Sequence, residues 1–223
     1  EGMAPVVTAK NTYIAPFVNA EVPQYLVVED RFPNGRPPLE RAGVYLTDRQ
    51  TVNDTERMKV TTCLNPLHTA LAVYGCLLGY TSIAAEMGDA DLKALVEHIA
   101  AESLPVVEDP GILSPRAFID EVLHERFPNP AIPDTPQRIA ADTSQKLPVR
   151  YGGTLRRYAR QSEQALAGLE FAPLVFAGWC RYLLGVDDRG NAMPVSPDPM
   201  LPQLQAHLKG IEVGRPDSLA GQL

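Results

Sequence analysis

Residues 64–80, LNPLHTALAVYGCLLGY, leave few folds open to this chain. As a helix the stretch is apolar around almost its whole circumference, so it belongs at the centre of a domain. It is too short to cross a bilayer, and no run reaches the ~18 apolar residues that a membrane span needs. A buried central helix needs a shell of other elements, and 223 residues are enough to build one. The question is why Lys59, Asn65 and His68 stand at the mouth of a segment made for burial.

The surrounding sequence supplies a mainly α shell with a small β edge. PVVTA, YLVVED and GVYLTD are short β-rich runs in the first ~48 residues, separated by the turn-rich FPNGRPPLERAG. From Asp54 the pattern turns helical, with one long helix expected from about Thr55 to Gly79. Asp89 reads as the N-cap of a helix whose Leu92, Leu95, Val96 and Ile99 share a face. Ser114-Pro115 and Thr135-Pro136 repeat the start signal of a capping hydroxyl followed by proline, the second opening a helix through RIAADTSQK. Further helices are expected over ~153–168, ~171–185 and LPQLQAHLKG, with GVDDRGN as a turn.

Charge and cysteine usage narrow the function. A net charge of −7 argues against nucleic acid or an anionic membrane as partner. Arg150, Arg156, Arg157 and Arg160 read as a solvated helix face. Cys63, Cys76 and Cys180 are odd in number and set among apolar residues, which reads as buried, reduced thiols of a cytoplasmic protein. The chain opens EGMAPVV and ends GRPDSLAGQL, which suggests a piece of a longer protein. No GxGxxG or GxxxxGK[ST] occurs, so a dinucleotide would need a domain outside this sequence. The four histidines form no HExxH or other ligand spacing, and no metal site is expected.

Asn65 and His68 lie three residues apart and share a helix face. Each has a bland reading, as a helix cap or a satisfied core histidine. The nearby lysine strengthens the functional one, because a desolvated lysine has a lowered pKa and can act as a general base. Arg138, Asp142 and Lys146 fall at i, i+4 and i+8, either a surface ion-pair ladder or a grip on a substrate's hydroxyls or carboxylate. Trp179 and Arg181 read as structural, with Arg181 tying down the turn that follows.

The string MKVTTCLNPLHTALAVYGCLLGY resembles the signature of the long-chain mannitol dehydrogenase family, which spans mannitol 2-dehydrogenases, fructuronate reductases and tagaturonate reductases. YLVVEDRFPNGRPPLERAG resembles the family's segment leading out of the cofactor domain, and RIAADTSQKLP and AGWCRYLLGVDDRGN resemble later blocks, so that the resemblance runs in order from about residue 25 to 198. The resemblance implies a helical C-terminal substrate domain of a two-domain dehydrogenase at 51–223, preceded at 1–50 by the end of a Rossmann cofactor domain and a linker. It implies an NAD(P)-dependent, metal-independent oxidoreductase acting on a sugar acid or polyol, with NAD or NADP held mainly by the part absent here. By position, Lys59 would be the base, Asn65 an oxyanion donor and His68 a substrate ligand, with Arg138 and Lys146 holding distal groups. The basic pair favours a fructuronate reductase, which oxidises mannonate in reverse, over a mannitol 2-dehydrogenase or tagaturonate reductase. The rival of another class is a non-catalytic helical module for binding or assembly.

One departure from the family matters. Lys59 and Asn65 are six steps apart where the family usually has five, which turns the lysine away from the site on a regular helix. A π-bulge within Thr61–Leu64 would absorb the extra residue and return Lys59 to the site. Glu56 keeps the family's three-residue offset from Lys59, which puts the insertion after the lysine.

Overall fold

The computed structural model describes residues 25–220 and, as backbone, the strand pair β1 (Val6–Val7) and β2 (Tyr13–Ile14). Strands β3 (Val27–Glu29) and β4 (Tyr45–Thr47) pair in parallel, Val27 opposite Tyr45, and β3 lies against the first helix. That helix, α1 (Arg49–Met58), starts earlier than the apolar pattern suggests, because the Asp48 carboxylate accepts the Thr51 N–H at 2.8 Å and caps it. The expected single helix to Gly79 is broken. A π turn over Lys59–Cys63 follows α1, Leu64 leaves the helical region (φ −134°, ψ −60°), and α2 (Asn65–Leu78) begins anew.

Of the 14 residues of α2, 11 are buried, which makes it the axis of the domain. One flank carries Leu67, Ala70 and Leu71 into a core with Val96, Ile99 and Ile119. The other carries Ala72, Val73 and Cys76 against Ile139, Tyr182 and Leu183. Gly79 closes α2 in the left-handed region (φ 81°), donating to Cys76 O while Tyr80 donates to Gly75 O.

Around this axis stand α3 (Ile83–Glu86), α4 (Ala90–Ser103), α5 (Pro115–Glu121), α6 (Pro136–Ile139), α7 (Thr143–Arg150), α8 (Gly152–Gln161), α9 (Glu163–Ala167), α10 (Phe171–Leu183) and α11 (Leu201–His207). The expected caps are present at Asp89, Ser114 and Thr135, each accepting a backbone N–H of its first turn. A second π turn, Val122–Arg126, extends α5. The helix expected through RIAADTSQK does not form. It splits into α6 and α7 at Asp142, the one described non-glycine residue with positive φ (54°), whose N–H bonds Pro197 O. The region ~153–168 is likewise two helices, divided at the Ser162 cap.

Two smaller expectations change and a third holds. Cys63 and Cys76 are buried, but Cys180 is exposed. The arginines are not one solvated face: Arg150 is part-buried against α2, and Arg157 reaches Val106 O and Glu108 while Arg156 and Arg160 stay exposed. Arg181 does tie down its turn, donating to Val186 O and to Asp187 O at 2.9 Å.

Candidate active site

The break between α1 and α2 builds the site. In the π turn, Leu64 N–H reaches back five residues to Lys59 O at 3.1 Å. Continued by two residues, that pattern would bond residue 66 to Thr61 O, but Pro66 has no N–H. The Thr154 hydroxyl of α8 supplies the missing donor at 3.2 Å. Tyr151 Oη donates to Pro66 O at 2.7 Å, and Arg150 Nη1 donates to Thr69 Oγ1 at 2.5 Å and more weakly to Asn65 O at 3.5 Å. Helices α7 and α8 thus clamp the irregular backbone through side chains that do not line the cavity described next. Gly153 brings α8 within van der Waals range of Thr61, where an added Cβ would meet the threonine side chain at 3.4 Å.

On the open side lies a cavity of about 810 Å³. Lys59 from the π turn, Asn65 and His68 from the first turn of α2, and Arg138 from α6 all line it. A π turn is present as expected, but it spans Lys59–Cys63 and so includes the lysine, rather than lying within Thr61–Leu64; Lys59 shares a cavity with Asn65 and His68 although it is six steps from the asparagine. The Lys59 side chain is 38% exposed, with Nζ 3.8 Å from Glu56, so it is not desolvated here as the sequence suggested.

His68 has a different environment. Its ring is buried, lies 5.2 Å from the Phe127 ring, and places Nε2 3.4 Å from Asp134 Oδ2. The approach is not aligned as a hydrogen bond, so the buried Nε2 has no hydrogen-bond partner. Burial pulls the imidazole down to about 4; the Asp134 carboxylate opposes the shift, and Arg150, Arg126 and Arg138 reinforce it. At neutral pH His68 is therefore an uncharged donor and acceptor.

Arg138 is 60% exposed on its side chain and pairs through Nη2 with Asp134 Oδ1. Lys146 does not line the cavity. It lies on α7, apart from Arg138 on α6, because the chain turns at Asp142, and its ammonium donates to the carbonyls of Ile139 and Ala141 at the end of α6. Burial lowers its pKa, with Arg150 adding to the effect.

The cavity also holds residues that sequence reasoning missed, namely Asp134, Arg126, Glu121 and Tyr25. With Glu56 they set three carboxylates against the cations Lys59, Arg126 and Arg138, so a charged ligand would meet both signs. Asp134 had one legible signal, its i,i+4 offset from Arg138. Among the described residues no group of acidic, cysteine and histidine side chains could hold a metal ion. No described helix is long and apolar enough to cross a membrane.

An amine, an amide and a neutral imidazole gathered at one open cavity form a donor set suited to moving a proton at an alcohol or carbonyl. The chain belongs to the mannitol dehydrogenase family: the family's mannitol dehydrogenase C-terminal domain matches residues 51–219. It is 59% identical to the D-mannonate oxidoreductase of Thermotoga maritima over 98% of its own length and 41% of that protein's. It is 36% identical to the mannitol 2-dehydrogenase of Emericella nidulans, covering 82% of this chain and 36% of that one. Among solved structures, the Pseudomonas fluorescens mannitol 2-dehydrogenase in ternary complex with NAD and D-mannitol superposes with a TM-score of 0.68 at 33% identity, over 82% of this chain and 36% of that one. The chain thus spans about two fifths of the curated relative or less.

Proposed function

We propose that residues 51–223 are the substrate-side domain of an NAD(P)-dependent oxidoreductase that interconverts a keto-uronate with an aldonate, as a D-mannonate oxidoreductase does. Residues 1–50 are then the end of the cofactor domain and its linker. The observation that carries this reading is the π turn, which admits Lys59 to the cavity of Asn65 and His68 despite the inserted residue. The 59% identity to a D-mannonate oxidoreductase supports the substrate class.

In the oxidative direction Lys59 Nζ takes the alcohol proton while the Asn65 amide donates to the developing alkoxide. NAD(P) supplies the hydride acceptor. The amine, amide and neutral imidazole of this cavity fit that chemistry, whereas the sequence carries no glycine-rich loop for the cofactor's phosphates. His68 binds a substrate hydroxyl. Arg138 meets the distal end of the substrate, and Lys146 supports it by holding the end of α6. Every catalytic role falls to a side chain, and the proposed reaction needs no metal.

A second reading has its own observation. Arg138 is already paired with Asp134, an arrangement that suits a neutral polyol better than a carboxylate. The test is NADH, then NADPH, consumption by the protein encoded by the complete reading frame, with D-fructuronate, D-tagaturonate and D-fructose at matched concentration. Preference for D-fructuronate is expected. Preference for D-fructose supports the polyol reading, and inactivity on all three supports a non-catalytic module. The 223-residue chain alone is expected to give no turnover, and measurable activity from it would contradict the division of labour proposed here.

A further inference from the structure

Asp134 stands between two candidate site residues that come from different elements. Its backbone is fixed on both sides, the N–H donating to Ile132 O at 2.8 Å and the carbonyl accepting from Ile83 N–H, at the start of α3, at 3.0 Å. Its side chain is 18% exposed and lines the cavity. One carboxylate oxygen accepts from Arg138 Nη2, and the other faces the buried, unpartnered Nε2 of His68 at 3.4 Å. We propose that Asp134 is the positioning residue of this site: its carboxylate fixes His68 as the Nε2–H tautomer, leaving Nδ1 to accept a hydrogen bond from a substrate hydroxyl, and holds Arg138 by one nitrogen.

The chemistry follows from the partners. An ionised carboxylate only accepts hydrogen bonds, so a neutral imidazole that turns Nε2 toward it must carry its proton there. Nδ1 then has a free lone pair and selects a donor, which a hydroxyl is and a carboxylate is not. At 3.4 Å the pair is longer than an aligned hydrogen bond, as such pairs commonly are in unliganded sites. On Arg138, Nε and Nη1 make no described hydrogen bond and stay available to an acceptor on the substrate.

The inference rests on the proposed function for its kinetic consequence but not for its structural one, and the two are tested separately. The first test is nitrogen-15 NMR of the His68 ring at neutral pH, with the signal assigned by its loss in His68→Asn. The Nε2–H tautomer is expected in the unliganded protein, moving toward Nδ1–H in Asp134→Ala. A wild-type ring in the Nδ1–H form overturns the proposal whatever the variants do. The second test, in the active full-length protein, is a double-mutant cycle with His68→Ala. Asp134→Ala should raise KM for the sugar substrate about tenfold or more, with a smaller fall in kcat, and lose most of that effect when His68 is already alanine. An equal effect in both backgrounds means that Asp134 does not act through His68, and overturns the proposal. Should the wild type turn over no sugar, the functional reading fails while the tautomer result still decides the inference.

Discussion

At the scale of single residues, the domain tolerates an expensive group outside the site. Glu86, at the end of α3, is wholly buried, and neither carboxyl oxygen has a hydrogen-bond partner. It fits only because Gly75 of α2 has no side chain: an added Cβ there would lie 2.0 Å from Glu86 Oε1. Burial pushes its pKa up from 4.5 to about 9, so the folded protein keeps a proton that the unfolded chain releases between those values. The sign follows: this residue's contribution to stability is best below pH ~4.5 and falls as pH rises toward 9. Glu86→Gln should remove that slope, so thermal melts of variant and wild type should diverge in the variant's favour between pH 5 and pH 8.5. Parallel melting curves across that range would show that Glu86 is solvated or paired. The cavity residues legible in the sequence were Lys59, Asn65 and His68, on one local segment, and Arg138, which lies in the block RIAADTSQK. Asp134 and Arg126 were not, because they reach the cavity through the fold.

At the scale of elements, the α1–α2 junction shows how sequence and packing share the work. Proline at 66 lacks the N–H that a continuous helix would use, and the surplus residue after Lys59 would turn the lysine from the site on a regular helix; each is visible in the sequence. What they cannot reveal is the clamp from α7 and α8 that satisfies the freed carbonyls, 85 to 93 residues away in the chain. Thr154→Val keeps the shape of the side chain but leaves Thr61 O without its donor. It should cost about 1–3 kcal/mol, read by denaturant unfolding. Unchanged stability would mean that the carbonyl finds another partner and the clamp is unimportant. The same lesson explains the split of α6 from α7. Nothing in the order AADT demands a left-handed residue, yet Asp142 takes that conformation because Pro197 O accepts its N–H and Asp198 accepts the N–H and hydroxyl of Ser144. Caps at Asp89, Ser114 and Thr135 were readable because their partners lie within three residues.

At the scale of the whole molecule, α2 both centres the packing and carries part of the candidate site. Its length is buried on both flanks, and its first turn opens on the cavity. A mainly helical domain was readable because that apolar segment can be satisfied in no other way. The parallel pairing of β3 with β4 was not, since three-residue strands carry no record of their neighbour. The central claim is that an irregular helix returns Lys59 to the site as the base. The direct test is kcat for NADH-dependent reduction of D-fructuronate by the complete protein and its Lys59→Ala variant. The account predicts a fall of about 10²–10⁴-fold in kcat with little change in cofactor affinity. A Lys59→Ala enzyme that keeps nearly full kcat would contradict it and move the base to another residue of the cavity.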